Sequence, residues 1–115
     1  MQSTRQNKIC RLIQQDMSEI FLHEMRSTLG PSLISVTEVR ITPDLSIARL
    51  YLSIMPIGGG TVDGIMALVR DNAADLRRRL GQREGKQLRI IPKLEFFIDD
   101  TLDYKENINR LLREA

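Results

Sequence analysis

The chain has a single cysteine, Cys10, and a single histidine, His23, among its 115 residues. One cysteine excludes an intramolecular disulfide and a cysteine-based zinc site. A lone Cys and a lone His cannot form a metal centre unless several carboxylates converge on them. Tryptophan is absent, and there are only two tyrosines and three phenylalanines. A broad aromatic platform that reads single-stranded bases is therefore not expected. Long apolar runs are missing too. The longest apolar-rich stretch, Leu50 to Met66, is broken by Pro56 and Gly58-Gly59-Gly60, which excludes a membrane span. The opening residues Gln2, Ser3, Thr4 and Arg5 are polar or basic with no apolar stretch behind them, so no signal peptide is expected. These absences point to a soluble intracellular chain without metal or cofactor.

What remains is ordinary for a globular protein: 42% hydrophobic and 28% charged residues, with Leu, Ile and Val supplying the apolar content. The length suits one domain over residues 1–115. The net charge is only +2, but it is unevenly spread. Arg70, Arg77, Arg78, Arg79, Arg83, Lys86, Arg89 and Lys93 fall in one segment, opposed there by Asp71, Asp75 and Glu84 alone. The rest of the chain is slightly acidic. A basic segment on such a body suggests a polyanion approached from one side. The alternative is charge that merely keeps a helix soluble.

Apolar spacing sets the elements. Ile9, Leu12, Ile13, Met17, Ile20 and Phe21 recur at three- and four-residue intervals, predicting one helix from Thr4 to Leu29 that Gly30-Pro31 ends. Residues 1–4 are expected to be loose. Two strands follow, Leu33–Thr42 and Leu45–Met55. The apolar phase slips between Val36 and Val39, which predicts a bulge near Thr37-Glu38. Thr42-Pro43-Asp44-Leu45-Ser46 is a turn, so the strands form an antiparallel hairpin. Thr61 caps a helix to about Asn72. Helical character continues through Ala73-Ala74-Asp75 to Leu80, with a kink at Asp75, and Gly81 to Gly85 reads as an exit loop. Leu88 to Asp99 is a third strand with Ile90, Leu94, Phe96 and Ile98 on one face. Pro92 lacks a donor, which favours an edge position or a bulge. Asp103 with Glu106 resembles a capping box for a short helix over 103–114. The expected fold is α+β, in the order α-β-β-α-(kink)-α-β, with helices on one face of a three-stranded mixed sheet.

Two stretches carry a resemblance. One runs from Val36-Thr37-Glu38-Val39 through Thr42-Pro43-Asp44-Leu45-Ser46 to Ala48, Tyr51 and Ser53. The other is Leu88-Arg89-Ile90-Ile91-Pro92-Lys93-Leu94-Glu95-Phe96-Phe97, closed by Asp99-Asp100-Thr101-Leu102. In this order and spacing they resemble the ribosome-binding factor A family over about Arg5 to Leu112. The resemblance implies a type II KH-like RNA-binding fold. It also implies a partner, the free 30S ribosomal subunit with its 16S ribosomal RNA, and a role in late rRNA maturation and processing that matters most in the cold. No small-molecule substrate, membrane partner or catalytic residue is implied, and the protein is expected to act as a monomer. KH domains join their paired helices by a Gly-X-X-Gly loop, which this family replaces with an Ala-X-Gly kink. The aligned residues here are Ala73, Ala74 and Asp75, without the glycine. Asp75 is expected to cap the second helix, and its charge would repel an adjacent phosphate by about 1 kcal/mol.

RNA contacts are therefore expected from side chains around the kink: Arg70, Arg77, Arg78, Arg79, Arg83, Lys86, Arg89 and Lys93. Three consecutive helical residues span about 200° of arc, so Arg78 and Arg79 are expected to face RNA while Arg77 anchors elsewhere. Arg5, Lys8 and Arg11 are candidates for a second approach. Tyr51 could stack on a base or simply pack. Cys10 reads as a small core residue and His23 as a surface one. Asp99-Asp100 cannot share a substrate, because adjacent strand residues point oppositely. Gly58 to Gly60 lacks the Gly-Lys-Ser/Thr of a phosphate loop. A protein–protein module with a basic docking patch remains the alternative function.

Overall fold

The computed structural model describes residues 3–30, 32–85, 88 and 90–99. Its elements are α1 (Thr4–His23), α2 (Arg26–Leu29), β1 (Ser32–Ile41), β2 (Ile47–Pro56), α3 (Val62–Asp71), α4 (Ala73–Glu84) and β3 (Lys93–Ile98). The sheet order is β1-β2-β3, with β1 antiparallel and β3 parallel to the central β2. Both outer strands are edges. The expected α+β order, mixed sheet and bulge are present, the bulge as a register shift between Val36 and Glu38.

The core lies between the sheet and the helices. Ile13, Met17 and Ile20 of α1, Val69 of α3 and Leu76 and Leu80 of α4 are fully buried against Ala48, Leu50 and Leu52 of β2. Apolar residues at alternate positions of a strand and at every third or fourth position of a helix make this inevitable: each element has one face to hide. Phe21 and Phe96 meet edge-on, with centroids 6.4 Å apart, and Cys10 is buried.

The sequence expectation differs from the structure at five places. Ser3 is ordered, and it forms a capping box with Gln6: Gln6 N donates to Ser3 Oγ at 3.1 Å and Ser3 N donates to Gln6 Oε1 at 2.8 Å. The long first helix is broken at Glu24-Met25. The periodicity runs straight across the break because Met25 and Leu29 still reach the core. The inter-helix kink falls at Asn72, whose Nδ2 turns back to Leu68 O at 2.8 Å. Asp75 therefore lies inside the first turn of α4, where a negative charge suits the helix dipole, and does not cap it. Gly81 is helical, because α4 runs on to Glu84. Finally, β3 begins at Lys93, and Ile90 is 73% exposed instead of facing the core. Pro92 ends the irregular approach to β3 and so removes no ladder donor.

Three features position the surfaces. Thr61 Oγ1 accepts from Gly64 N at 3.0 Å and starts α3. In the hairpin turn, Asp44 Oδ1 accepts from Ser46 N at 3.1 Å and Leu45 adopts φ 63°, a costly conformation for a bulky residue. Gln6 Nε2 donates to Ile41 O at 3.0 Å, and Gln14 Nε2 donates to Val36 O at 2.9 Å, so α1 is tied to the outermost strand.

Candidate nucleic-acid interface

The basic residues beyond the kink are not a free cluster. Arg70 Nη2 donates to Phe96 O at 3.0 Å. Arg77 Nη2 donates to Ile91 O at 2.7 Å and its Nε to Pro92 O at 3.2 Å, so its guanidinium pins the approach to β3 onto α4. Arg78 binds Asp75 within the helix. Arg79 Nε donates to Asp75 Oδ2 at 2.8 Å and its Nη1 to Glu24 Oε1 at 2.9 Å. Arg83 donates from Nη1 to Glu19 Oε2 at 2.6 Å and from Nη2 to Glu24 Oε2 at 2.9 Å. Ala73 opens α4 half-buried, and Ala74 beside it is exposed. A shallow groove of about 330 Å³ beside them is lined by Ala74, Arg77, Arg78, Gly81 and Ile91. Of the α4 arginines in ion pairs, Arg78 is the most open, its side chain 56% exposed. Lys86 and Arg89 lie outside the described residues, as do Asp100 and the helix expected over 103–114.

The protonation of this network follows from its geometry. Hydrogen bonds from Arg83, then Arg79, hold Glu24 below the usual carboxylate range against the cost of its burial. Arg79 and Arg78 do the same for Asp75. Arg79 and Arg83 are raised in turn, chiefly by Asp75 and Glu24 respectively. The repulsion expected between Asp75 and a phosphate is therefore largely cancelled by its own arginines. One acid in the same interface behaves oppositely. Glu84 is fully buried, and neither carboxylate oxygen receives a hydrogen bond from the protein. Burial, and then the facing Asp16, push it up to about 8. Glu84 is thus held largely neutral at pH 7 beside Asp16.

Elsewhere the cations are open. Arg5, Lys8 and Arg11 are exposed on the first half of α1, and among the described residues no carboxylate forms an ion pair with them. Their three-residue spacing keeps them within about 120° of one another around the helix. Lys93 is also exposed and without an ion pair among the described residues, at the start of β3. Arg11 borders a groove of about 850 Å³ that crosses the β1 edge and is also lined by Asn7, Glu38, Arg40 and Arg49. Lys8 and Arg5 edge a second groove of about 700 Å³ with Ile9, Leu12 and Leu45.

Comparison with known proteins shows the family. The family model described as ribosome-binding factor A matches residues 5–112. The chain belongs to the ribosome-binding factor A family. A ribosome-binding factor A of Cytophaga hutchinsonii is 44% identical over 112 residues, 97% of this chain and 83% of the relative. That of Flavobacterium johnsoniae is 42% identical, covering 97% and 85%. The crystal structure of ribosome-binding factor A from Thermus thermophilus superposes with a TM-score of 0.65 at 19% identity, over 81% of this chain and 94% of that one. A homology model of the Thermus thermophilus factor, fitted into a cryo-electron microscopy map of a 30S complex, gives a TM-score of 0.61 at 20% identity. The fold is that of this family, type II KH-like, with α3 and α4 as its paired helices.

The sequence reading misses Glu19, Glu24 and Asp16 as partners of the α4 arginines. A signal exists: acids cluster in the second half of α1, where they oppose its dipole and need cations from elsewhere. Glu84 sits in the predicted exit loop, so its burial is invisible until α4 is extended through it. Among the described residues, no group of three or more His, Cys, Asp or Glu side chains is placed to hold a metal ion, and no helix is long and apolar enough to cross a membrane.

Proposed function

We propose that this protein binds the free 30S subunit through 16S ribosomal RNA and assists late maturation of that RNA, including in the cold. It acts in the cytoplasm as a single KH-like domain and a monomer, and makes or breaks no bond. The observation that carries this reading is the family match over residues 5–112, with a related factor placed in a 30S complex in support. The cation geometry supports a contact at the exposed arginines and lysine of α1 and at α4. Arg5, Lys8 and Arg11 offer unpaired charge along one helix face, and Arg78, exposed but paired with Asp75, stands beside the kink groove. Arg79 and Arg83 are held in reserve by Glu24. Partly exposed ion pairs of this kind are worth little, so a phosphate can take the arginines over, and the planar guanidinium fork suits it.

The mechanism is occupancy. A factor that prefers one conformation of an immature RNA biases its rearrangement by the difference in affinity between the two states. Co-sedimentation with purified 30S subunits tests the reading. The wild type should pellet with subunits, and binding to naked 16S fragments should weaken with salt at a log–log slope of about −3 to −6. Arg5→Glu/Lys8→Glu/Arg11→Glu and Arg78→Glu/Arg79→Glu should each release the folded protein from subunits. Salt-insensitive binding would favour a protein-docking module instead, and specific cleavage of labelled RNA would make the protein an enzyme.

A further inference from the structure

The helices pack on one face of the sheet, and among the described residues no element covers the other. That outer face carries a short π ladder. The ring of Tyr51 on the central strand stacks with that of Phe97 on β3, centroids 5.6 Å apart and planes 29° from parallel. The Arg40 guanidinium from β1 sits 5.8 Å from the centre of the Tyr51 ring. Tyr51 is thus flanked by a cation on one side and a ring on the other. Phe97, 37% exposed on the edge strand, closes the ladder. The row beside it aligns Arg40, Arg49 and Glu95 across the three strands, and Arg49 Nε donates to Glu95 Oε1 at 3.2 Å.

We propose that the open end of this ladder, Phe97, is a stacking site for one unpaired base of RNA, whose flanking phosphates are drawn to Arg11, Arg40 and Arg49. The proposal rests on the reading that the partner is RNA, and names the element of it that this face would take. In the groove leading over the β1 edge to this face, Arg40 and Arg49 are matched by Glu38 and Glu95, and Arg11 is the cation in excess, a surplus that favours a nucleic acid. The Arg40–Glu38 pair is exposed and the Arg49–Glu95 pair partly so, so both arginines can exchange a carboxylate for a phosphate. A protein partner fits less well, because interface cores are depleted in charge and this face runs a charged row through its middle. The scarcity of aromatics limits the site to a single base, and a base must leave its helix to use it.

The chain has no tryptophan, so Phe97→Trp creates one fluorescent reporter at the site. Short single-stranded oligoadenylate should quench it saturably, and far more than the same strand annealed in a duplex. Leu68→Trp, on α3, should stay unquenched. Phe97→Leu, which keeps an apolar strand residue, should weaken oligoadenylate binding about tenfold while leaving the thermal melt near wild type. Wild-type co-sedimentation with 30S subunits is run alongside. Pelleting of the wild type without quenching of the reporter by oligoadenylate overturns the stacking site and leaves the small-subunit reading standing. Quenching without pelleting keeps the stacking site and removes that reading. A reporter that responds to whole subunits but not to naked RNA places a ribosomal protein on this face and overturns the proposal.

Discussion

The two halves of α1 carry opposite charge and meet opposite fates. Arg5, Lys8 and Arg11 in the first half are exposed and form no ion pair among the described residues. Asp16, Glu19 and Glu24, in the second half and just past its end, face α4 and take its arginines. Both halves oppose the helix dipole, which favours acids at the start and bases at the end. For the second half the compensation is visible: ion pairs that dock α4. For the first half no compensation exists within the described fold, so its charge is best understood as directed at something outside. Counting basic residues along a sequence cannot make this distinction. A cation is available to a ligand only after the protein's own carboxylates have been satisfied.

The largest expected effect lies where the acidic half is oversupplied. Glu84 is neutral in the folded state because it is buried beside Asp16, and it ionises near its usual value of 4.5 when unfolded. Its folded-state value is raised, so the folded state binds the extra proton. The associated stability is complete below about pH 4.5 and is lost as pH rises through about 8, in total on the order of 5 kcal/mol. Urea unfolding at several pH values should show this decline. Glu84→Gln should flatten it and make the variant the more stable protein above pH 8. An unchanged slope would mean that Glu84 is ionised or hydrated in the folded state.

On the other half, Arg5→Gln/Lys8→Gln/Arg11→Gln should weaken binding to 16S fragments roughly a hundredfold at low salt and make the salt slope shallower by about two to three. Circular dichroism should show the helix intact. Retained affinity would move the contact away from α1. Glu24→Gln should blur the contrast between the halves by removing one of the two carboxylates that hold each of Arg79 and Arg83. Affinity at low salt should rise roughly tenfold and the slope steepen by about one to two, measured by the same titration. Ser3→Ala sharpens the point least: losing the cap under the basic half should cost about 1 kcal/mol in denaturant unfolding and loosen the turn that carries Arg5.

Most of the fold was legible because periodicity reports burial directly. The spacing of Ile9, Ile13, Met17 and Ile20, the alternation Ala48-Leu50-Leu52, and the slip between Val36 and Val39 each map onto a face or a bulge. What escaped were features that preserve the pattern while changing the backbone. Met25 keeps its place in the apolar sequence across a helix break, Gly81 is helical despite its propensity, and Ile90 alternates in phase with a strand that starts only at Lys93. The candidate surface was half legible. Residue type located the cations, but availability is set by pairs such as Arg83–Glu19, 64 positions apart, which no local pattern encodes.

The two glutamines of α1 have a consequence of their own. An edge strand with unused carbonyls is a template on which a second chain can add itself. Gln6 and Gln14 each spend an amide on β1, at Ile41 and at Val36, and lay the helix along that margin like a hem. The protein gains a guarded margin from this. Its sheet is discouraged from growing into a filament by the same helix that carries its exposed positive charge.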